Sequence, residues 1–412
     1  MFFKKLKFRI VIFIVCILGM FSNVYSVSYM YPINKNKDVK VSSINTIAAN
    51  PEFTFQSEAQ VLMEPTTGEI LYANNENEKL LPASVTKIMT LLLTMEQIDS
   101  GKMAYEDKVK CSAKASHMGG SQIWFKENEE LTVDECLKAI CVVSANDVTV
   151  AMAEKIGGSE ENFVKMMNDK ALELGMENTC FKNSHGIDEE GHYSSAKDIA
   201  VMSRELITKH PNILKYTSIW QDTLRNGEFG LNSTNKLIRF YEGATGLKTG
   251  STSQALFNLS GTATRNGTSF IAVVMRAPSS DIRLQEVKQL LDYGFANYEI
   301  KNICENGVKA ENISVNKNIG KTYETKIKND VSVLVNKGEK IDMIDKITYN
   351  ENITAPLKNG DTVGRIEIFN SNTNEKLGES DLIVINDVEK SSFIDYLKYA
   401  FKIFIIKNVV VE

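Results

Sequence analysis

Residues 244–277 read ATGLKTGSTSQALFNLSGTATRNGTSFIAVVMRA. Three strand-like runs, GLKTGST, ALFNLSGTAT and TSFIAVVMRA, are separated by turn-forming residues. Runs this close together pair as antiparallel neighbours, because a parallel crossover needs a dozen or more intervening residues. Downstream, Arg283 to Tyr298 has helical length and pattern. Upstream, Ala59 to Asn75 (AQVLMEPTTGEILYANN) predicts a hairpin about Pro65-Thr66-Thr67-Gly68. Ser84 to Ile98 (SVTKIMTLLLTMEQI) predicts a helix with Ser84 near its start. Thr132 to Ile156 predicts helix on either side of Ser144-Ala145-Asn146, and Asp198 to Thr208 a further short helix. Strand, helices, strands and helix in one unit give an α+β class, an antiparallel sheet flanked by helices, over residues 51–300.

The texture changes after residue 300. Residues 301–390 carry short runs such as VSVLV, TVGRIEIF and DLIVI, punctuated by Gly307, Gly320, Gly338, Gly360, Gly364 and Gly378. A small all-β domain is expected there. Residues 391–412 (SSFIDYLKYAFKIFIIKNVVVE) place Ser391, Asp395, Lys398 and Lys402 in one helical sector and apolar residues over the rest. Charges at Asp395, Lys398, Lys402 and Lys407 interrupt any twenty-residue span. An amphipathic helix lying in a membrane interface fits this pattern; a helix docked on the β-domain is its alternative.

At the other end, Lys4, Lys5, Lys7 and Arg9 precede the apolar run Ile10 to Phe21, and Val24-Tyr25-Ser26 resembles a cleavage site. Residues 1–26 are therefore expected to be a secretory signal, with 27–50 a polar linker. Export to the outer face of the cell membrane or the wall follows. The whole chain has 412 residues, 47 Lys+Arg and 52 Asp+Glu, a net charge of −5. Without the four leader cations it is −5 − 4 = −9, which argues against nucleic acid as a partner. An apolar share of 43% excludes a disordered chain.

Five cysteines follow the leader, Cys111, Cys136, Cys141, Cys180 and Cys304, at irregular spacing. They read as free thiols rather than a disulfide framework, although one pair stays open. His117, His185, His192 and His210 lack HExxH spacing, so no metal site is expected, and no cofactor.

Ser-x-x-Lys occurs four times, at Ser84, Ser194, Ser233 and Ser314. Only the copy at Ser84 opens a helix, precedes Ser144-Ala145-Asn146, and precedes Lys248-Thr249-Gly250 at the start of a strand-like run. A serine hydroxyl is a weak nucleophile and needs a base within hydrogen-bond reach. Residues three apart on a helix share a face, so Lys87 can sit beside Ser84. A lysine serves as base only when neutral; burial and a second cation, for which Lys248 is the candidate, favour that form. Ser144 can relay a proton to a leaving amine, and Asn146 can hold Lys87 and substrate backbone. The strand edge Lys248–Ser251 can pair with an extended peptide, with Gly250 permitting close approach. The N–H groups of Ser84 and Ser251 are candidates for an oxyanion hole.

This ordered set resembles the penicillin-recognising serine enzymes. PASVTKIMT, SANDVTVAMAE, NSHGIDEEGHYSSAKDIA and GATGLKTGST look like the low-molecular-weight penicillin-binding proteins, the D-alanyl-D-alanine carboxypeptidases. The resemblance implies a β-lactamase/transpeptidase-like fold over residues 55–300, with peptidoglycan stem peptide as substrate and β-lactams as covalent inhibitors. It further implies an arginine for the substrate carboxylate, matched by Arg283, with Thr249 and Lys248 sharing that anion. His185 and His192 are expected to frame the cleft; Trp124 is expected to pack, with a place flanking the cleft as its alternative. Ser251 stands where relatives often carry histidine. A DD-endopeptidase, a β-lactamase and a non-catalytic wall-binding scaffold are the competing readings.

Overall fold

The computed structural model describes residues 53–409. The expected signal and linker lie outside these residues. The hairpin strands Ala59–Met63 and Ile70–Asn74 join Thr268–Ala277, Leu256–Arg265 and Ala244–Thr252 in one five-stranded antiparallel sheet. The first hairpin strand pairs with the last of these five in sequence, Val61 opposite Val273. That long-range pairing leaves Ala244–Thr252, which carries Lys-Thr-Gly, at a sheet edge.

Each sheet face has its own core. Val61, Met63, Ile271, Val273 and Met275 pack with the helices Lys87–Asp99, Asn146–Gly157 and Ala196–Lys209. Leu62, Leu71, Leu259, Phe270 and Val274 pack on the opposite face against the helix Ser280–Asn297. Alternate residues of Ala59–Met63 thus enter different cores, the period-two geometry of a strand buried on both faces. Every residue of the helix Lys87–Asp99 from Lys87 to Met95 is buried, so its length, not an amphipathic stripe, marks it as a central element.

Two local details differ from the sequence expectation. Ser84 lies in a 3₁₀ turn, Ala83–Thr86, and the α-helix proper begins at Lys87. Ala83 holds a left-handed φ of +48°, unfavourable for a residue with a β-carbon. Second, the helix Glu160–Glu173 has no counterpart in the sequence reading, although Ser159 caps it and Phe163, Met167 and Ala171 recur on its buried face.

The helix Ser280–Asn297 runs directly into the strand Tyr298–Cys304, which pairs with Val331–Asn336. A second sheet orders Lys309–Ser314, Thr322–Ile327, Lys376–Val384, Thr362–Asn370 and Met343–Tyr349. Val331, Val333 and Val335 alternate inward. The final helix, Phe393–Val409, starts from a base tied to this β-structure. Ser391 N–H donates to the Lys317 carbonyl at 2.8 Å, and Ile319 N–H donates to Ser391 Oγ at 2.9 Å. Among the described residues, no helix is long and apolar enough to cross a membrane.

Candidate active site

Three separate elements bring the motifs together. The 3₁₀ turn presents Ser84, and the first residue of the helix it feeds is Lys87. Ser144 sits in the left-handed region (φ +63°) where a π-helical turn, Ala139–Val143, meets the helix Asn146–Gly157. That break turns Ser144 out of the helical path, as π-turns at functional sites commonly do. The third element is the edge strand with Lys248, Thr249 and Gly250.

Lys87 is fully buried. Its Nζ lies 2.9 Å from Ser84 Oγ, 2.7 Å from Asn146 Oδ1 and 2.6 Å from the His185 carbonyl oxygen. Burial, then repulsion from Lys248, holds its pKa well below the ordinary lysine value, against an opposing attraction from Asp147. A neutral amine has two hydrogens and one lone pair. Asn146 Oδ1 and the His185 carbonyl can only accept, so they occupy both hydrogens and leave the lone pair for the Ser84 hydroxyl.

Lys248 is also buried, with Nζ 2.9 Å from Ser144 Oγ and 2.9 Å from the Thr249 carbonyl. Burial lowers its pKa to about 7, with Arg283 contributing and Cys141 opposing. The Thr249 hydroxyl lies 2.8 Å from that of Thr234. At Gly250 a β-carbon would lie 2.7 Å from the Pro82 carbonyl and 2.9 Å from Ser84 N. The strand therefore passes Ser84 at a distance only glycine allows. Ser251, the next residue, is exposed.

Arg283 is 6% exposed, on the first turn of Ser280–Asn297. Its Nη1 donates to the Asn258 carbonyl at 3.2 Å, while its buried Nε has no hydrogen-bond partner. Asn258 and Phe257 pair with Gly250 and Ser251 across the sheet, and the guanidinium lies over the Phe257 ring. Burial lowers its pKa to about 10, so it stays charged near neutrality. With one carbonyl bond at Nη1 and none at Nε, the guanidinium keeps donors to offer an incoming carboxylate.

Asn146 is fixed from outside. Its Nδ2 donates to the Gly119 carbonyl at 2.7 Å, and its N–H to the Ser121 carbonyl at 2.7 Å. Asp147 accepts from the N–H groups of Ile123 and Phe125, stitching the same loop down. Trp124, between those two, is 65% exposed rather than packed, with φ +52° and its ring edge-on to Phe229. Its neighbours' backbone bonds drive Ile123 and Phe125 inward and leave Trp124 outside.

His185 contributes its backbone carbonyl to Lys87. His192 accepts at Nδ1 from Lys182 N–H, so its Nε2 faces Thr86 Oγ1 at 2.8 Å as donor. Burial lowers both imidazoles to about 4, with Lys87 adding to the effect at His185 and Lys182 at His192. Both are therefore neutral and structural near pH 7. Thr234 and the His185 carbonyl escaped the sequence reading; neither lies in a motif, and a carbonyl has no side-chain signature. The five described cysteines are all free, three of them buried.

Comparison with known proteins extends over most of the chain. Residues 44–279 match the family D-alanyl-D-alanine carboxypeptidase, and residues 298–390 match the C-terminal domain of penicillin-binding protein 5. The chain is 43% identical to the D-alanyl-D-alanine carboxypeptidase DacF of Bacillus subtilis over 84% of this chain and 90% of that one. The crystal structure of penicillin-binding protein 5 from Haemophilus influenzae matches with a TM-score of 0.68 at 30% identity, covering 82% of this chain and 99% of that one. Penicillin-binding protein D2 from Listeria monocytogenes, in an ampicillin-bound form, matches with a TM-score of 0.55 at 30% identity, over 60% of this chain and 100% of that one. With the Ser84–Lys87, Ser144–Asn146 and Lys248–Gly250 elements converging on one cleft, the chain belongs to the D-alanyl-D-alanine carboxypeptidase family of low-molecular-weight penicillin-binding proteins.

Proposed function

We propose that this serine carboxypeptidase removes the terminal D-alanine of peptidoglycan stem peptides with Ser84 as nucleophile and Lys87 as base. Ser84 Oγ attacks the carbonyl carbon of the penultimate D-alanine while its proton passes to the Lys87 lone pair. The N–H groups of Ser84 and Ser251 receive the developing oxyanion; each such donor is worth roughly 3–4 kcal/mol. The C–N bond then breaks, the leaving amine takes a proton through Ser144 Oγ, and D-alanine departs. Water, deprotonated by the same base, attacks the acyl-Ser84 ester and restores the free hydroxyl. Lys248, Thr249 and Arg283 hold the substrate carboxylate, and Asn146 steadies Lys87 and the peptide backbone. Penicillins enter as acylating analogues, with the ester long-lived, as follows from the family.

The observation that supports this most is the arrangement about Lys87: two obligate acceptors on a buried amine whose remaining direction is Ser84 Oγ. The test is release of D-alanine from a peptide ending in D-Ala-D-Ala, with Ser84→Ala alongside. Release by the wild type that penicillin blocks and Ser84→Ala lacks is expected. Penicillin labelling without release would transfer the activity to cross-linked substrates.

The same reading places the mature protein, residues 27–412, outside the cell membrane, with the final helix on its outer face. The leader pattern of residues 1–26 supports export. The exposure of Phe393, Ile394 and Tyr396 on the last helix, beside Lys398 and Lys402, supports interfacial attachment. Co-sedimentation with anionic vesicles, lost on deleting residues 391–412, is the expected result.

A further inference from the structure

Glu160 is the first residue of the helix Glu160–Glu173, yet it is 6% exposed and turned into the protein. Its Oε1 accepts two hydrogen bonds from Ser184, from N–H at 3.0 Å and Oγ–H at 2.6 Å. Its Oε2 lies 3.0 Å from Lys114 Nζ. Burial opposes the charge, but the two Ser184 bonds and Lys114 hold the carboxyl below its ordinary pKa. This is an ionised, buried group committed to a loop.

That loop is the one that touches the base. Ser184 precedes His185, whose carbonyl accepts from Lys87 at 2.6 Å. The Ser184 carbonyl accepts from Thr90 Oγ1 at 2.7 Å, about one turn beyond Lys87 on the nucleophile helix. Gly186, at φ +90°, lies so close that a β-carbon would collide with the Ala83 carbonyl. Residues 184–186 are therefore pressed on the helix start from one side, and Glu160 grips Ser184 from elsewhere in the fold. If the His185 carbonyl turned away, the buried amine would lose one acceptor. An N–H would then swing toward Ser84 Oγ, and the lone pair would leave the hydroxyl it must deprotonate.

We propose that Glu160 is a positioning residue for acylation: by holding Ser184 through Oε1, it orients the His185 carbonyl that aims the Lys87 lone pair at Ser84. The proposal rests on the assignment of Ser84 and Lys87 made above, and the test separates the two. A fluorescent penicillin is used on the full chain, with the limiting acylation rate k2 and the pre-covalent Kd resolved from the concentration dependence. Wild-type acylation with a silent Ser84→Ala supports that assignment; no wild-type acylation overturns it and the proposal with it. Given acylation, Glu160→Ala lowers k2 about 10- to 100-fold with Kd unchanged, the scale of loss that slight misplacement of a reacting group causes. Glu160→Gln keeps an oxygen acceptor for Ser184 and recovers most of k2. Wild-type k2 in Glu160→Ala, a rise in Kd that accounts for the loss, or a Gln variant as slow as Ala overturns the proposal. If Glu160→Ala does not fold, Glu160→Asp decides: its shorter side chain draws the carboxylate back from both Ser184 donors, so reduced k2 with unchanged Kd supports the positioning role and wild-type k2 refutes it.

Discussion

Lys87 Nζ and Ser84 Oγ stand 2.9 Å apart at the junction of a 3₁₀ turn and an α-helix, and the lysine is fully buried. Burial, with Lys248 repulsion second, depresses the pKa of the amine and so favours its neutral, proton-accepting form. Acylation therefore falls as pH drops and Lys87 gains its proton. In Lys248→Gln the repulsion is gone, so the Lys87 pKa rises. The acidic limb of the k2–pH profile for penicillin moves to higher pH; an unmoved limb would exclude Lys248 as a tuner of the base.

Lys248 itself, at about 7, is charged on the acidic side of neutrality and loses its proton as pH rises. With the D-Ala-D-Ala peptide, kcat/KM reports free-enzyme groups and declines on the alkaline side near that value. Lys248→Arg keeps its charge and shifts the decline upward. A decline unaffected by Arg assigns it to another group.

On the proposed mechanism, Arg283, with its Nε unpaired, confers the preference for a free carboxylate. Wild type discriminates between a peptide ending in D-alanine and the same peptide ending in D-alaninamide; Arg283→Gln loses about tenfold or more of that ratio, the size of a charge-assisted hydrogen bond. The ratio of kcat/KM values for the two peptides measures it. Equal discrimination by the variant would remove Arg283 from the carboxylate site.

Gly250→Ala forces a β-carbon to 2.7–2.9 Å from Pro82 O and Ser84 N. The edge strand must retreat from Ser84, so k2 falls by about 100-fold. The fold survives, as circular dichroism and thermal unfolding will show. Near-wild-type k2 would mean that the strand has room to move without consequence.

Much of the fold was legible because the three sheet strands announce themselves by run length and turns, and because Ser84, Ser144 and Lys248 stand in the right order and setting. The helix Glu160–Glu173 is not legible from run length alone: Phe163, Met167 and Ala171 repeat at helical spacing among charged neighbours. The sequence pattern puts Ser84 near the start of the helix, but Ala83 at positive φ starts a tighter turn that local sequence does not signal. The His185 carbonyl at Lys87 and the Thr234 hydroxyl at Thr249 arise only from chain folding over long separations. For Trp124 the sequence favours packing over a place flanking the cleft, but the backbone bonds of Ile123 and Phe125 to Asp147 leave the ring exposed.

The central claim is that Ser84 forms the covalent bond. Incubating the protein with penicillin, digesting it and locating the adduct by mass spectrometry tests this directly. The expected result is one penicilloyl group on the peptide containing Ser84, absent from Ser84→Ala. An adduct on any other residue, or an adduct that persists in Ser84→Ala, would contradict it.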